Sequence, residues 1–129
     1  PETATDIATT LNQTGHVVLS DLSFETGASK LSNGEFASLN ALAEFLKDDA
    51  NRRIALVGHT DSKGSLATNT SLSQKRAAAV RNRLIKAHGV PKSQVEARGA
   101  GYLAPIATNL TEAGRTLNRR VEAVLLSGS

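Results

Sequence analysis

The fold is decided by residues 56–80, Leu-Val-Gly-His-Thr-Asp-Ser-Lys-Gly-Ser-Leu-Ala-Thr-Asn-Thr-Ser-Leu-Ser-Gln-Lys-Arg-Ala-Ala-Ala-Val. An apolar run from Ile54 to Val57 stops at Gly58-His59-Thr60-Asp61. Such an unbroken run reads as a strand buried on both faces. A polar loop follows, and then a long helical pattern that ends at Gly89 with Pro91 just beyond, the usual stop signal. Strand, loop and helix in this order imply a crossover and partly parallel pairing.

Working outward, "HVVLSDLSF" (16–24) reads as a strand and "ETGASKLS" as a loop. Ser32 or Asn33 is placed to cap the next helix, in which Phe36, Leu39, Leu42, Ala43 and Leu46 recur at helical spacing. Residues 1–14 carry Ile7 and Leu11 four apart, a short N-terminal helix or extension. "SQVEARGAGY" reads as a third strand, "PIATNLTEAGRTLN" as a loop with one helical turn, and "RRVEAVLLS" as the last strand. The expected fold class is α/β (α+β): a two-layer sandwich with a βαβαββ mixed sheet, helices on one face, and residues 1–129 as a single domain.

The chain has 129 residues, 40% of them hydrophobic, and a net charge of +3. That is the size of one ordinary domain. The mild positive charge permits binding to an anionic polymer without demanding it. Four aromatics, Phe24, Phe36, Phe45 and Tyr102, make a poor base-stacking platform, so nucleic acid is not the expected partner. Cysteine is absent, which excludes disulfides, thiolate metal sites and a cysteine nucleophile. Methionine is absent too and the chain starts at Pro1, as expected of a piece of a longer protein. No apolar run approaches the ~18 residues of a membrane span.

With Leu72 at zero on a helical wheel of ~100° per residue, Arg76 falls near 40° and Arg83 near 20°. Both lie within the arc of Ala79, Val80, Leu84 and Ala87. A buried arginine is costly unless paired. Asp61 follows directly on a buried strand, where ligands gather in such sheets. Asp61 and Arg76 can face each other across one cleft, an acceptor-only group beside a donor fork. That pair suits a zwitterion. The plainer alternatives are a salt bridge tying loop to helix, and arginines that merely snorkel. Of Arg119 and Arg120, which point to opposite faces of a strand, one can join a site while the other stays solvated, or both can sit at an exposed strand end. Gly99 and Gly101 permit a tight backbone approach. His16, His59 and His88 lack metal-ligand spacing, and His59 with Asp61 and Ser62 shows no nucleophile-elbow pattern. No cofactor, metal or catalytic group is expected.

Several elements together carry a family resemblance: Gly58-x-Thr60-Asp61-x-x-Gly64, Asn69-x-x-Leu72-Ser73-x-x-Arg76-Ala77, Gly99-x-Gly101, Pro105, Asn109, and Gly114-Arg115-x-x-Asn118-Arg119-Arg120-Val121-Glu122. From about Val17 to Leu126 the sequence resembles the OmpA-like peptidoglycan-binding domain, found in outer-membrane protein A, the peptidoglycan-associated lipoprotein and flagellar motor protein B. The resemblance implies non-catalytic binding of the meso-diaminopimelate peptide stem of Gram-negative peptidoglycan. By that resemblance Asp61 takes an ammonium and Arg76 a carboxylate. Asn69 and Leu72 lie near the ligand, Phe24 to Thr26 form another wall, and Arg119 contributes. Gly64 and Asn118 are expected to be structural. The implied setting is the periplasm of a Gram-negative envelope, with a barrel, lipid anchor or membrane helix preceding Pro1. The family also leaves room for envelope-protein partners or a homodimer.

Overall fold

The computed structural model describes residues 4–24 and 27–128. Its elements run α1 (Ala4–Thr14), β1 (His16–Val18), α2 (Ala37–Lys47), β2 (Arg53–His59), α3 (Leu66–His88), a 3-10 turn (Lys92–Gln94), β3 (Val95–Gly99), α4 (Glu112–Asn118) and β4 (Arg120–Ser127). The four-stranded sheet has the order β1-β4-β2-β3. β2 pairs parallel with β3 and antiparallel with β4, and β1 pairs antiparallel with β4, so the sheet is mixed as expected.

One sheet face carries Val17, Ile54, Leu56, Val95, Ala97, Val121 and Ala123 into a single core. Ile7 and Leu11 of α1, Leu39, Leu42 and Leu46 of α2, and Val80 and Leu84 of α3 meet them there, all 0% exposed. These three helices therefore cover the same face. Each fully buried Leu or Ile contributes about 1.5–3 kcal/mol of transfer free energy.

Four expectations are corrected, three of them in the connections. The first strand stops at Val18, not Phe24. Leu19 still bonds Val121 O, but the chain then turns, and Phe24 makes only an isolated bridge to Leu31. The turn has a use: Asp21 Oδ2 accepts from the Ser38 N–H at 3.0 Å, capping α2 from a distance. Neither Ser32 nor Asn33 caps that helix, whose N-cap is Phe36 with no side-chain bond. Finally, the expected single turn before the last strand is a seven-residue helix, α4, with Thr111 as its N-cap.

α3 is also rotated from the arc read on the wheel. Its buried line is Asn69, Ser73, Ala77, Val80 and Leu84, so Arg76 stands at the rim of the buried arc. The cause is close packing. A Cβ on Gly58 would lie 2.1 Å from Ser73 O, and one on Gly99 would lie 2.5 Å from Gln74 N. α3 can sit this low on the sheet only because both positions are glycine.

β3 is an edge strand, and α3 reaches over it. Gln74 Nε2 donates to Ala97 O at 3.0 Å and Arg81 Nε donates to Val95 O at 2.8 Å.

Candidate functional site

The candidate site forms where β2 ends. Thr60 N–H bonds Gly101 O at 2.8 Å, and the Gly101 N–H bonds Ser73 Oγ at 3.0 Å. The strand end is thus tied to both the 99–101 loop and α3. Asp61 follows, mostly buried. Its Oδ1 accepts from the Lys63 N–H at 3.0 Å, and its Oδ2 accepts from Arg119 Nη1 at 2.6 Å. The loop then turns at Gly64, whose φ of +87° suits glycine. Ser65 caps α3 by accepting from the Thr68 N–H.

Arg119 is the C-cap residue of α4. Besides Asp61, it donates through Nη2 to Glu112 Oε1 at 2.6 Å and to Thr116 Oγ1 at 3.0 Å. Arg76 Nε donates to Ala28 O at 2.8 Å, and its guanidinium carbon stands 5.1 Å from the centre of the Phe24 ring. Asp61, Lys63, Arg76, Glu112, Arg119 and Phe24 line one cavity of ≈ 650 Å³, together with Leu22, Ser23, Gly27 and Thr116.

The charges are strongly interdependent. Burial works to raise the Asp61 pKa, but the Lys63 N–H and the Arg119 guanidinium outweigh it and hold the carboxyl below its ordinary value. Glu112, hydrogen-bonded by Arg119 and then Arg115, is lowered to about 2. Arg119 is raised by Glu112 and Asp61 in turn. Arg76 is lowered, first by burial and then by the positive charge of Arg119. The cavity therefore holds fixed charges of both signs near neutral pH.

The structure gathers Asp61, Arg76, Arg119 and Phe24 about this cavity. Asp61 and Arg76 share it as expected, but the acid's partner among the described ion pairs is Arg119. Leu72 lines a neighbouring hollow that shares Gly27. Asn69 lines neither; its Nδ2 donates to Lys63 O at 2.7 Å and Ser65 O at 3.0 Å, closing the loop that carries Asp61. Thr26 lies outside the described residues. Glu112 was not anticipated. It stands seven residues before Arg119, two helical turns on the same face, which is the signal that marks it.

Arg83 does more than snorkel. Arg83 donates to Gly34 O, Leu31 O and Ser32 O, pinning the 31–34 loop. Arg120 is not solvated. Its side chain is 6% exposed, and it bonds Glu122, Asn118 O and Ala104 O. Asn118 is structural, as expected: its Oδ1 accepts from the Ile106 and Ala107 N–H groups, and its Nδ2 donates to Ala107 O and Asn109 Oδ1.

His59 is buried on the sheet face away from the helices. Its pKa is lowered by burial and by Arg120, against the pull of Glu122. Among the described residues no group of His, Asp or Glu side chains is arranged to hold a metal. No described helix is long and apolar enough to cross a membrane.

The sequence profile of the OmpA family matches residues 23–119. The chain belongs to the OmpA family. This OmpA-family chain is 42% identical over 103 residues to outer membrane porin F of Pseudomonas aeruginosa, an alignment covering 80% of the chain and 29% of the porin. It is 36% identical over 104 residues to the peptidoglycan-binding protein ArfA of Mycobacterium tuberculosis, covering 81% of the chain and 32% of ArfA. The chain thus spans only about a third of these relatives' length. Among solved structures, the peptidoglycan-associated lipoprotein of Burkholderia pseudomallei aligns with a TM-score of 0.73 and 32% identity, covering 90% of this chain and 98% of that one. Its agreement with the mixed sheet and helices described above confirms the fold of this OmpA-family member.

Proposed function

We propose that residues 1–129 form one non-catalytic module that binds the peptide stem of peptidoglycan and tethers an envelope protein to the wall. The observation that carries this reading is the cavity in which Asp61 faces Arg76 and Arg119. Two acids, Asp61 and Glu112, and three cations, Lys63, Arg76 and Arg119, line one hollow, which suits a ligand that is itself a zwitterion. The free end of meso-diaminopimelate has this chemistry: its ammonium goes to Asp61 and its carboxylate to Arg76. The names of the mycobacterial and Burkholderia relatives, peptidoglycan-binding and peptidoglycan-associated, support the polymer class.

The geometry adds a step. Both oxygens of Asp61 are already engaged, one by a backbone N–H and the other by Arg119. An arriving ammonium therefore shares Asp61 with Arg119 or takes its place on Oδ2, since each carboxylate oxygen accepts more than one hydrogen bond. Glu112 and Thr116 keep hold of the other nitrogen of Arg119, so Arg119 remains at the cavity beside the ligand carboxylate. A carboxyl held below its ordinary pKa stays ionised and is a poor general acid near neutrality, which favours binding over turnover. The family names of the relatives, a porin of the outer membrane and a lipoprotein, support a periplasmic placement with the anchor supplied by other parts of the full protein.

The test is a pull-down on purified diaminopimelate-type sacculi, comparing wild type with Arg76→Ala and checking the fold by circular dichroism. Wild type is expected to bind. Arg76→Ala is expected to fold and lose at least about tenfold in affinity, since truncating one side of a desolvated charge contact costs ~2–5 kcal/mol. Equal binding by both sinks the site. Binding by neither shifts the reading to a protein partner, for which the exposed Leu103, Ile106, Leu110 and Leu117 are the favouring observation.

A further inference from the structure

A second hollow lies against the charged cavity. It measures ≈ 220 Å³, and Leu22, Phe24, Arg76, Thr116 and Arg119 line both. The two hollows therefore adjoin, with Arg76, Arg119 and Phe24 among the residues they share. Their chemistry differs sharply. The larger one contains Asp61 and Glu112. The smaller one has no acidic residue in its lining, and its remaining walls include Val18, Leu19, Leu117 and Val121.

We propose that this hollow is a second subsite for the same peptide, seating a short aliphatic residue that follows the zwitterionic one and ends in a free carboxylate. The inference rests on the wall-peptide reading above. Three features carry it. Apart from the hydroxyls of Ser20 and Thr116, the uncharged lining is apolar, so it gains from covering a methyl or similar group. The charged lining residues are arginines alone, Arg76, Arg119 and Arg120. Arg120 is committed to Glu122 and to two backbone carbonyls, so it contributes to the positive field without being a ready donor. A carboxylate entering from this side meets positive potential, and an ammonium is repelled. The volume, finally, falls below the ~300–1,000 Å³ that drug-sized ligands occupy, which fits one small residue. In a peptidoglycan stem, the residue bonded to diaminopimelate on its carboxyl side, D-alanine, is aliphatic, small and, in a tetrapeptide, carboxylate-terminated.

The experiment is a calorimetric titration with two synthetic probes: L-alanyl-γ-D-glutamyl-meso-diaminopimelate, and the same peptide extended by one D-alanine. Wild type is expected to bind the tetrapeptide about tenfold more tightly, the discrimination one small apolar group earns in a matching pocket. Amidating the terminal carboxylate is expected to remove most of that gain. Leu117→Ser opens the apolar wall at an exposed helix position, and Ser20→Leu fills the hollow from an exposed position on its lining. In both variants the preference is expected to fall to about twofold or less. Equal affinity of wild type for the two probes overturns the subsite and leaves the wall-peptide reading standing. A tenfold preference that survives in both variants places the alanine elsewhere and overturns it as well. If neither probe binds, the wall-peptide reading itself fails and the subsite fails with it.

Discussion

Two polar centres stand on either side of α4 and use similar side chains in opposite ways. At the N-terminal approach to β4, Asn118 is 0% exposed and spends its amide on the backbone of residues 106 and 107 and on the Asn109 side chain. At the other centre, Asp61, Arg119 and Glu112 are joined chiefly by side-chain ion pairs, with Arg119 and Glu112 open to solvent. Asn69, Gln94 and Arg83 follow the Asn118 pattern. Gln94 alone donates to Leu46 O, Asp49 O and Arg52 O. A side chain bonded to backbone has no substitute partner, because the carbonyls and N–H groups it satisfies are buried with it. A charge paired with another charge can exchange that partner for a ligand of the same sign. The difference separates what holds the fold from what is available to bind.

The sharpest way to break this division is to truncate one member of each centre. Asn118→Ala leaves two N–H groups and two acceptors short of a partner, and it is expected to cost about 3 kcal/mol. That corresponds to roughly 10 °C in Tm by thermal melting. Asp61→Asn should move stability by only about 1 kcal/mol, because its partner Arg119 is partly solvated. Its sacculus affinity should still fall at least about tenfold. If Asp61→Asn melts as early as Asn118→Ala, the site is structural and the division fails. The smallest effect is electrostatic. Glu112 has a folded-state pKa lowered from 4.5 to about 2. A depressed carboxyl pKa adds stability that is complete above the unfolded value and is lost as pH falls through the folded one. The difference in Tm between wild type and Glu112→Gln should therefore be present at pH 6 and shrink between pH 4.5 and 2. A gap that persists at pH 2 would assign Glu112 a role in packing instead.

The local periodicity of α2, β2, α3 and β4 was legible because each carries a run of apolar residues matched to its own geometry. What escaped was set by distant parts of the chain. β1 looked long because residues 16–24 are rich in β-branched and apolar residues, but the chain turns after Leu19 and puts Asp21 at the N-terminus of α2, 17 residues on. The rotation of α3 came from Gly58 and Gly99, whose missing Cβ atoms admit Ser73 and its neighbours. The acid and the arginines of the cavity were visible as charges in unusual places. Their pairing was not, since Arg119 lies 58 residues from Asp61 and nothing local distinguishes it from Arg76 as a partner.

The treatment of β3 reaches beyond the single molecule. An edge strand offers its outward carbonyls to any extended chain that drifts past. Here Gln74 and Arg81 already occupy those of Ala97 and Val95. If the proposed wall binding holds, copies of the module bound along one polymer are brought close to one another by it. With these carbonyls occupied, the β3 border of the sheet offers crowded copies less to pair with.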